Sequence, residues 1–399
     1  MPRHLETDSP WLLALLAALV ALGPLSVDMY LPAMPSMMTA LDTDISSMHL
    51  TMSAYLAGFA LFHLVCGPLA DRYGRKPILT GGTVLFVLAC IGCTFSTTVE
   101  ELLLFRFIQG VGACVGPTLA RAVARDVFGP TRAARALSLI AMLMAVAPAV
   151  APTMGAILLQ WLPWPMIFIF LAVYGVSMIV LVQVYLGESL PERQSLHPRT
   201  IAANYARLCR DAPYLAATFG SGLIYAGLMV YLSSSSFVYI QMLGVPVQYF
   251  GLIFLTGVAG YMLGSGISAR LSSSFDEEQM VLLGAGLAMT ATLAMLAGSR
   301  AFPQSIWALL LPMTLYSTGM GMTLPNAMAS ALRHFPHMAA TASALLGFIQ
   351  MGLSGSAAAL VGTFLVDTPA PMVNFMVGMT ALSLALASFL YRTNRQAGA

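Results

Sequence analysis

The sequence predicts an all-α membrane protein of twelve transmembrane helices arranged as two six-helix halves. Three observations carry that expectation. Of 399 residues, 58% are hydrophobic and only 9% charged, with a mean hydropathy of +0.82; a soluble chain of this length needs far more charge to cover its surface. The apolar residues fall into runs near the ~20 residues that cross a hydrocarbon core of ~30 Å. They show no strand-like alternation, so the spans are helices and not barrel strands. The basic residues, finally, gather on one side of those runs.

In chain order the runs cover residues 11–34, 50–70, 78–98, 101–125, 136–160 and 165–186, then 213–241, 247–270, 279–299, 303–328, 340–366 and 370–391. The first is longer than the apolar core of a signal peptide and lacks a small-residue cleavage site, so it reads as a retained helix. With the N-terminus inside, 16 of the 18 basic residues fall on the inner side, among them Arg72, Arg75, Lys76, Arg125, Arg193, Arg207, Arg270 and Arg333. Arg300 falls outside and Arg106 lies within a span. Asp42, Asp44, Glu100, Glu101 and Asp367 occupy outer loops. Both termini are therefore expected in the cytoplasm, in a bacterial inner membrane. The net charge of +2 reports topology and gives no ground for a nucleic-acid partner. Cys66, Cys90, Cys93 and Cys114 lie in spans and Cys209 on the inner side, so no structural disulfide is expected. The Cys90–Cys93 pair, with no His or acid beside it, reads as small packing residues.

The longest polar stretch, 187–212, divides the chain into halves 1–186 and 213–399. The halves echo each other: GVGACVGP from Gly110 and GMGMTLPN from Gly319 occupy matching spans. Weak internal symmetry around a cytoplasmic linker is the pattern of a two-bundle secondary transporter, with substrate bound near the midplane and access alternating between sides.

The loop after the second span reads GPLADRYGRKP, Gly67–Pro77. It resembles the G-x-x-x-D-R-x-G-R-[KR] signature of the major facilitator superfamily, with every position filled. By residue chemistry, Gly67 suits a close helix approach, Gly74 a tight turn, and Asp71 and Arg75 pairing at helix ends. The resemblance implies that Asp71, Arg72, Arg75 and Lys76 belong to a conformational latch that pairs with an acid at the inner end of the fourth span. Asp126 stands there. In the fifth span APAVAPTMGA, Ala147–Ala156, is similar to the antiporter motif G-P-x-x-G-G, keeping Pro148, Pro152 and Gly155 with Ala151 and Ala156 in place of glycines. In the fourth span RFIQGVGA resembles the R-x-x-Q-G motif tied to proton coupling. DMYLPAMP in the first resembles the bicyclomycin and chloramphenicol resistance group of drug:proton antiporters.

Asp28 and Arg106 are the clear intramembrane acid and base of the chain, and each lies about five residues, roughly 8 Å, below the same outer rim. Intramembrane ionisable residues are functional by default. Burial favours the neutral form of a carboxyl and a nearby cation its charged form, so a carboxyl balanced between them can exchange a proton. We therefore expect Asp28 and Arg106 to couple protons to transport. Substrate contacts are expected from Asp28, Tyr30, Tyr55, Phe59, Gln109, Tyr225, Tyr231 and Asn326, on spans that line the cavity in this superfamily. Twenty-seven methionines suit a pocket that repacks around varied apolar compounds. His63 reads as a packing residue.

Enzyme readings find no support. There is no P-loop and no metal-ligand pattern, and Ser233–Ser236 has no His or Lys close in sequence to serve as its base. The expected activity is proton-coupled export of drugs or other small amphipathic compounds, by a monomer with no cofactor besides the proton. A metabolite exporter and a transporter-fold sensor are the alternatives.

Overall fold

The computed structural model describes residues 10–190, 198–333, 335, 338–365 and 367–397; within these, the side chains of 10, 129–146, 148–149, 198–200 and 396–397 are not described. Among the described residues the secondary structure is helix and short connections, without a strand. It forms two compact units. Residues 1–43 and 54–197 make the first; residues 44–53 and 198–399 make the second.

In the first unit α1 (Pro10–Asp28) gives way to a single 3-10 turn (Leu31–Ala33) and the short α2 (Met34–Ala40). The continuous apolar run 11–34 is thus not one helix. Pro32 has no N–H to give the carbonyl four residues earlier, which is that of Asp28, and its ring crowds the same carbonyl. The helix ends at the carboxylate for that reason. Next come α3 (Ile45–Tyr73), whose first turns group with the second unit, α4 (Arg75–Phe95), α5 (Val99–Ala113), α6 (Val115–Trp161) and α7 (Pro165–Tyr185). α6 runs unbroken for 47 residues where the sequence suggested a loop near 126–135. That stretch carries Gly129 and Pro130, which disfavour a helix interior, but Arg132, Ala133, Ala134 and Arg135 beside them are good helix formers. α3 and α5 cross at backbone contact, because a Cβ on Gly58 or Gly110 would strike the carbonyl of Phe107 or Tyr55.

The second unit contains α8 (Pro198–Leu208), α9 (Ala212–Ser236), a π-helical turn (Phe237–Met242), α10 (Val247–Leu271), α11 (Glu277–Ala301), α12 (Trp307–Arg333), α13 (Ala339–Phe364) and α14 (Ala370–Ala397). α8 groups here although the sequence placed it in the linker. Asp44 caps the start of α3 by accepting from the Ser47 backbone N–H at 2.7 Å, which holds its carboxyl below the usual carboxylate range. Arg333, at the end of α12, pairs with Glu277 (2.9 Å) and the buried Glu278 (2.8 Å) at the start of α11.

Among the described residues ten helical segments are long and apolar enough to cross a membrane. The fifth and tenth expected spans fall outside that set. The fifth is described at side-chain level mainly over Val150–Trp161. The tenth, α12, is long enough, but Tyr316, Ser317, Thr323 and Asn326 make it polar, and the first three are buried among its neighbours.

Candidate functional site

Asp28 ends α1 and is 4% exposed. The backbone that follows it lies against α6. A Cβ added to Gly155 would stand 2.5 Å from the Met29 carbonyl oxygen, so only glycine lets α6 approach the broken stretch of α1. Pro152 is buried one turn before Gly155. Pro148 lies outside the residues described at side-chain level.

Arg106, on α5, has no solvent exposure. Its guanidinium carbon lies 4.3 Å from the ring centroid of Tyr30 and 4.5 Å from that of Tyr55. A quadrupole's negative face attracts the cation from each ring. Nη1 donates to the Ser26 carbonyl (3.2 Å) and to Gln109 Oε1 (2.6 Å), and Gln109 Nε2 donates to Cys90 Sγ (3.1 Å). Nε and Nη2 have no hydrogen-bond partner. No ion pair within 4.0 Å joins Arg106 to Asp28; among the described residues the pairs are those of Arg75 and Arg333. Four of the expected residues, Tyr30, Tyr55, Arg106 and Gln109, therefore form one cluster, in which two tyrosine faces replace a carboxylate as the cation's neighbours. The cluster meets the α1 break through Tyr30 and the Ser26 carbonyl, either side of Asp28. Phe59 continues the Tyr55 face of α3, its ring centroid 6.3 Å from that of Tyr55, and stacks on His63 at 5.9 Å. His63 Nδ1 lies 3.5 Å from both Cys114 Sγ and Thr118 Oγ1, so it is a packed, polar-contacted residue.

The 67–77 loop forms a second cluster. Gly74 has φ +107, in the region that favours glycine. Arg75 Nη1 contacts Asp71 at 2.7 Å, and Arg75 Nε donates to Asp126 Oδ2 on α6 at 3.1 Å. Ser189 Oγ donates to the same Asp126 oxygen at 3.3 Å. Lys76 Nζ donates to the carbonyls of Gln183 (3.1 Å) and Leu186 (2.8 Å), closing the C-terminal end of α7. Arg72 lies over Tyr73, 5.3 Å from the ring centroid. Gly67 departs from expectation: a Cβ there would meet nothing within 4 Å, so no helix approaches it closely in this structure.

In the second unit two of the expected contacts, Tyr231 and Asn326, are already engaged with neighbouring side chains. The Tyr231 and Tyr239 hydroxyls lie 2.8 Å apart. Asn326 Nδ2 donates to Ser268 Oγ and to the Met322 carbonyl, both at 2.7 Å, and so ties α12 to α10. Tyr225 is half-buried on α9.

Sequence reasoning missed several participants. Glu188 accepts from the backbone N–H groups of Arg75 (2.9 Å) and Lys76 (3.3 Å), 113 and 112 positions away in the chain; nothing marked it except an acid among inner-side bases. Cys90, taken for packing, receives the Gln109 amide. A histidine nearly two hundred positions upstream, His49, stacks on Phe237, the residue that follows the serine run 233–236. No group of three or more His, Cys, Asp or Glu residues gathers at metal-binding distance among the described residues.

Comparison with known proteins follows this geometry. Residues 16–359 match the sequence model described as the Major Facilitator Superfamily. The chain is 32% identical over 380 residues to the uncharacterized MFS-type transporter YdgK of Bacillus subtilis, covering 94% of each chain. It is 28% identical to a bicyclomycin resistance protein homolog of Haemophilus influenzae, covering 95% of this chain and 96% of the relative. It is also 28% identical to the multidrug resistance protein MdtL of Vibrio parahaemolyticus, covering 92% and 93%. Among solved structures, a bacterial homolog of the human lysosomal transporter Spinster, inward-facing and unoccupied, superposes with a TM-score of 0.73 at 16% identity over 96% of both chains. A D-xylose-proton symporter superposes with a TM-score of 0.73 at 14% identity, over 96% of this chain and 98% of its own. The fold shared with these transporters is the twelve-helix one that the sequence suggests.

Proposed function

The chain belongs to the Major Facilitator Superfamily, and we propose that it is a proton-coupled antiporter that exports drugs or other small amphipathic compounds from the bacterial cytoplasm by alternating access. The observation that carries this reading is the buried carboxylate of Asp28 at the break of α1, in the same unit as a buried arginine held by tyrosine faces. The resistance named for two of its relatives supports the substrate class.

In this reading Asp28 carries the coupling proton. Protonated, it is neutral in an apolar surround; ionised, it offers a charge that a cationic or polar compound meets in the proton's place. Arg106 supplies a fixed positive field near the α1 break, and its two unpartnered nitrogens can turn to an acceptor. Because the rings and Gln109 hold the guanidinium, the cation stays in place while Asp28 changes state. The Asp71–Arg75–Asp126 cluster ties the inner ends of α3, α4 and α6, and acts as the latch that biases one conformation. The protein works as a monomer in the inner membrane, with both termini cytoplasmic and no cofactor besides the proton.

Asp28→Asn tests the assignment. It preserves shape and insertion, so the variant should express and bind compound, yet lose accumulation of chloramphenicol driven by a proton gradient in inverted membrane vesicles. Wild-type uphill transport by the variant would refute the role of Asp28.

A further inference from the structure

The run Ser233–Ser236 closes α9, and all four serines are fully buried. Ser233 and Ser235 return their hydroxyls to the carbonyls of Val230 (3.2 Å) and Leu232 (2.6 Å). Ser234 Oγ and Ser236 Oγ have no partner. The helix then widens into the π-turn Phe237–Met242, a device concentrated at functional sites. Against Phe237 stacks the ring of His49, centroids 5.7 Å apart at 23°. His49 belongs to the segment 44–53 that groups with this unit, and it is wholly buried. Its Nδ1 lies 3.1 Å from the Ala358 carbonyl oxygen, and its Nε2 has no partner. Gly362 provides the seat, since a Cβ there would come within 2.5 Å of His49 Cβ.

The chemistry of this place follows from the partners. A carbonyl oxygen only accepts, so Nδ1 must carry the hydrogen, and Nε2 is left as a bare lone pair. Ser234 precedes Phe237 by three residues, so it lies on the helix face that His49 meets. A hydroxyl can both donate and accept. An apolar interior leaves such atoms bare only at the full cost of their desolvation. Ala358, Gly362 and Phe237 bring no charge to the ring, so a charged group has no counter-ion here. The fitting ligand group is neutral and offers a hydrogen to Nε2.

We propose that His49 and Ser234 form a second polar subsite that binds a hydroxyl group of the exported compound. The group's hydrogen goes to His49 Nε2, and its oxygen accepts from the Ser234 hydroxyl. This inference rests on the drug-export reading above and adds a selection for neutral donors that the Asp28 region does not make.

The test compares binding of chloramphenicol, which bears free alcohols, with binding of its derivative carrying those alcohols as methyl ethers. An ether keeps the acceptor oxygen and loses the hydrogen. Purified full-length wild type should bind the alcohol about tenfold more tightly than the ether, a difference of ~1.4 kcal/mol. His49→Phe keeps the ring stacked on Phe237 and removes Nε2; it should bring the two affinities within about twofold while leaving that for the ether unchanged. Ser234→Ala, a smaller change that the helix accommodates, should also shrink the ratio. A ratio that stays at the wild-type value in His49→Phe, or in Ser234→Ala if His49→Phe does not fold, overturns the subsite. Equal binding of alcohol and ether by the wild type overturns it too, leaving the polar atoms to water alone. If the wild type binds neither compound, the drug-export reading fails and takes the subsite with it; binding of both with an insensitive ratio sinks the subsite alone.

Discussion

The tyrosine cage of Arg106 allows a sharp test, because its energy divides between ring faces and hydrogen bonds. The guanidinium carbon stands 4.3 and 4.5 Å from the two centroids with no exposure, so each face acts without solvent competition. A desolvated cation–π contact contributes about 2 kcal/mol. Tyr55→Phe keeps the face and gives up only a hydroxyl whose bond to the Gly23 carbonyl is long, at 3.3 Å; it should cost no more than about 1 kcal/mol. Tyr55→Leu removes the face and also leaves a cavity, so the single substitution overstates the contact. A double-mutant cycle with Arg106→Met removes that ambiguity, because the cavity term is common to both arms. The expected coupling is about 2 kcal/mol, read from equilibrium unfolding of purified protein in detergent. Arg106→Met itself should be neutral or stabilising, since it discards a buried cation with two unpartnered nitrogens, and yet it should abolish proton-driven export. A coupling below ~0.5 kcal/mol, or a Phe variant as costly as Leu, would show that the rings only fill space around Arg106.

Two other outcomes follow from the geometry. Arg75→Ala or Asp126→Asn should slow transport while changing substrate affinity by less than about tenfold, because the pair lies away from Asp28 and Arg106 and acts on a conformational equilibrium; a large loss of binding in protein cross-linked in one conformation would contradict this. Gly155→Ala should destabilise the protein by about 1–3 kcal/mol and impair export, because its methyl meets a backbone carbonyl that cannot turn aside. Gly67→Ala, with nothing within 4 Å, should leave the thermal midpoint and transport near wild type. Equal effects of the two glycine substitutions would mean that the α1–α6 approach is not what Gly155 provides.

What the sequence revealed, and what it hid, follows the range of the interactions concerned. Span positions were legible because each depends on a local run of apolar residues; 165–186 and 247–270 match α7 and α10 within a residue. The break after Asp28 was written in Pro32 but masked by the continuous hydropathy around it. Arg106 stood out as a charge in an apolar run, and Tyr30, Tyr55 and Gln109 were named with the cavity. That the rings, and no carboxylate, face the cation depends on how α1, α3 and α5 meet, which no local pattern encodes. His49 was invisible for the same reason: its partners Phe237, Ala358 and Gly362 lie on other helices, up to 313 positions away.

A helix start in each unit meets one electrostatic requirement, with opposite polarity. A helix N-terminus favours negative charge. In the second unit α11 supplies it from its own first turn, Glu277 and Glu278, with Arg333 from the end of α12 as counter-charge. In the first unit α4 begins instead with Arg75 and Lys76, an unfavourable sign for that position. Glu188 offsets it from outside the helix, accepting the backbone N–H groups of both. With the helix end satisfied by a borrowed acid, the side chain of Arg75 is left to bind Asp71 and Asp126, and Lys76 to close α7. The two ends therefore differ in what holds them. The α11–α12 contact is closed by side chains of its own two helices. The contact at α4 depends on residues from α3, α6, α7 and the segment after α7, so any motion that separates those elements must break it. That dependence fits the first cluster, and not the second, to the latch role proposed for it.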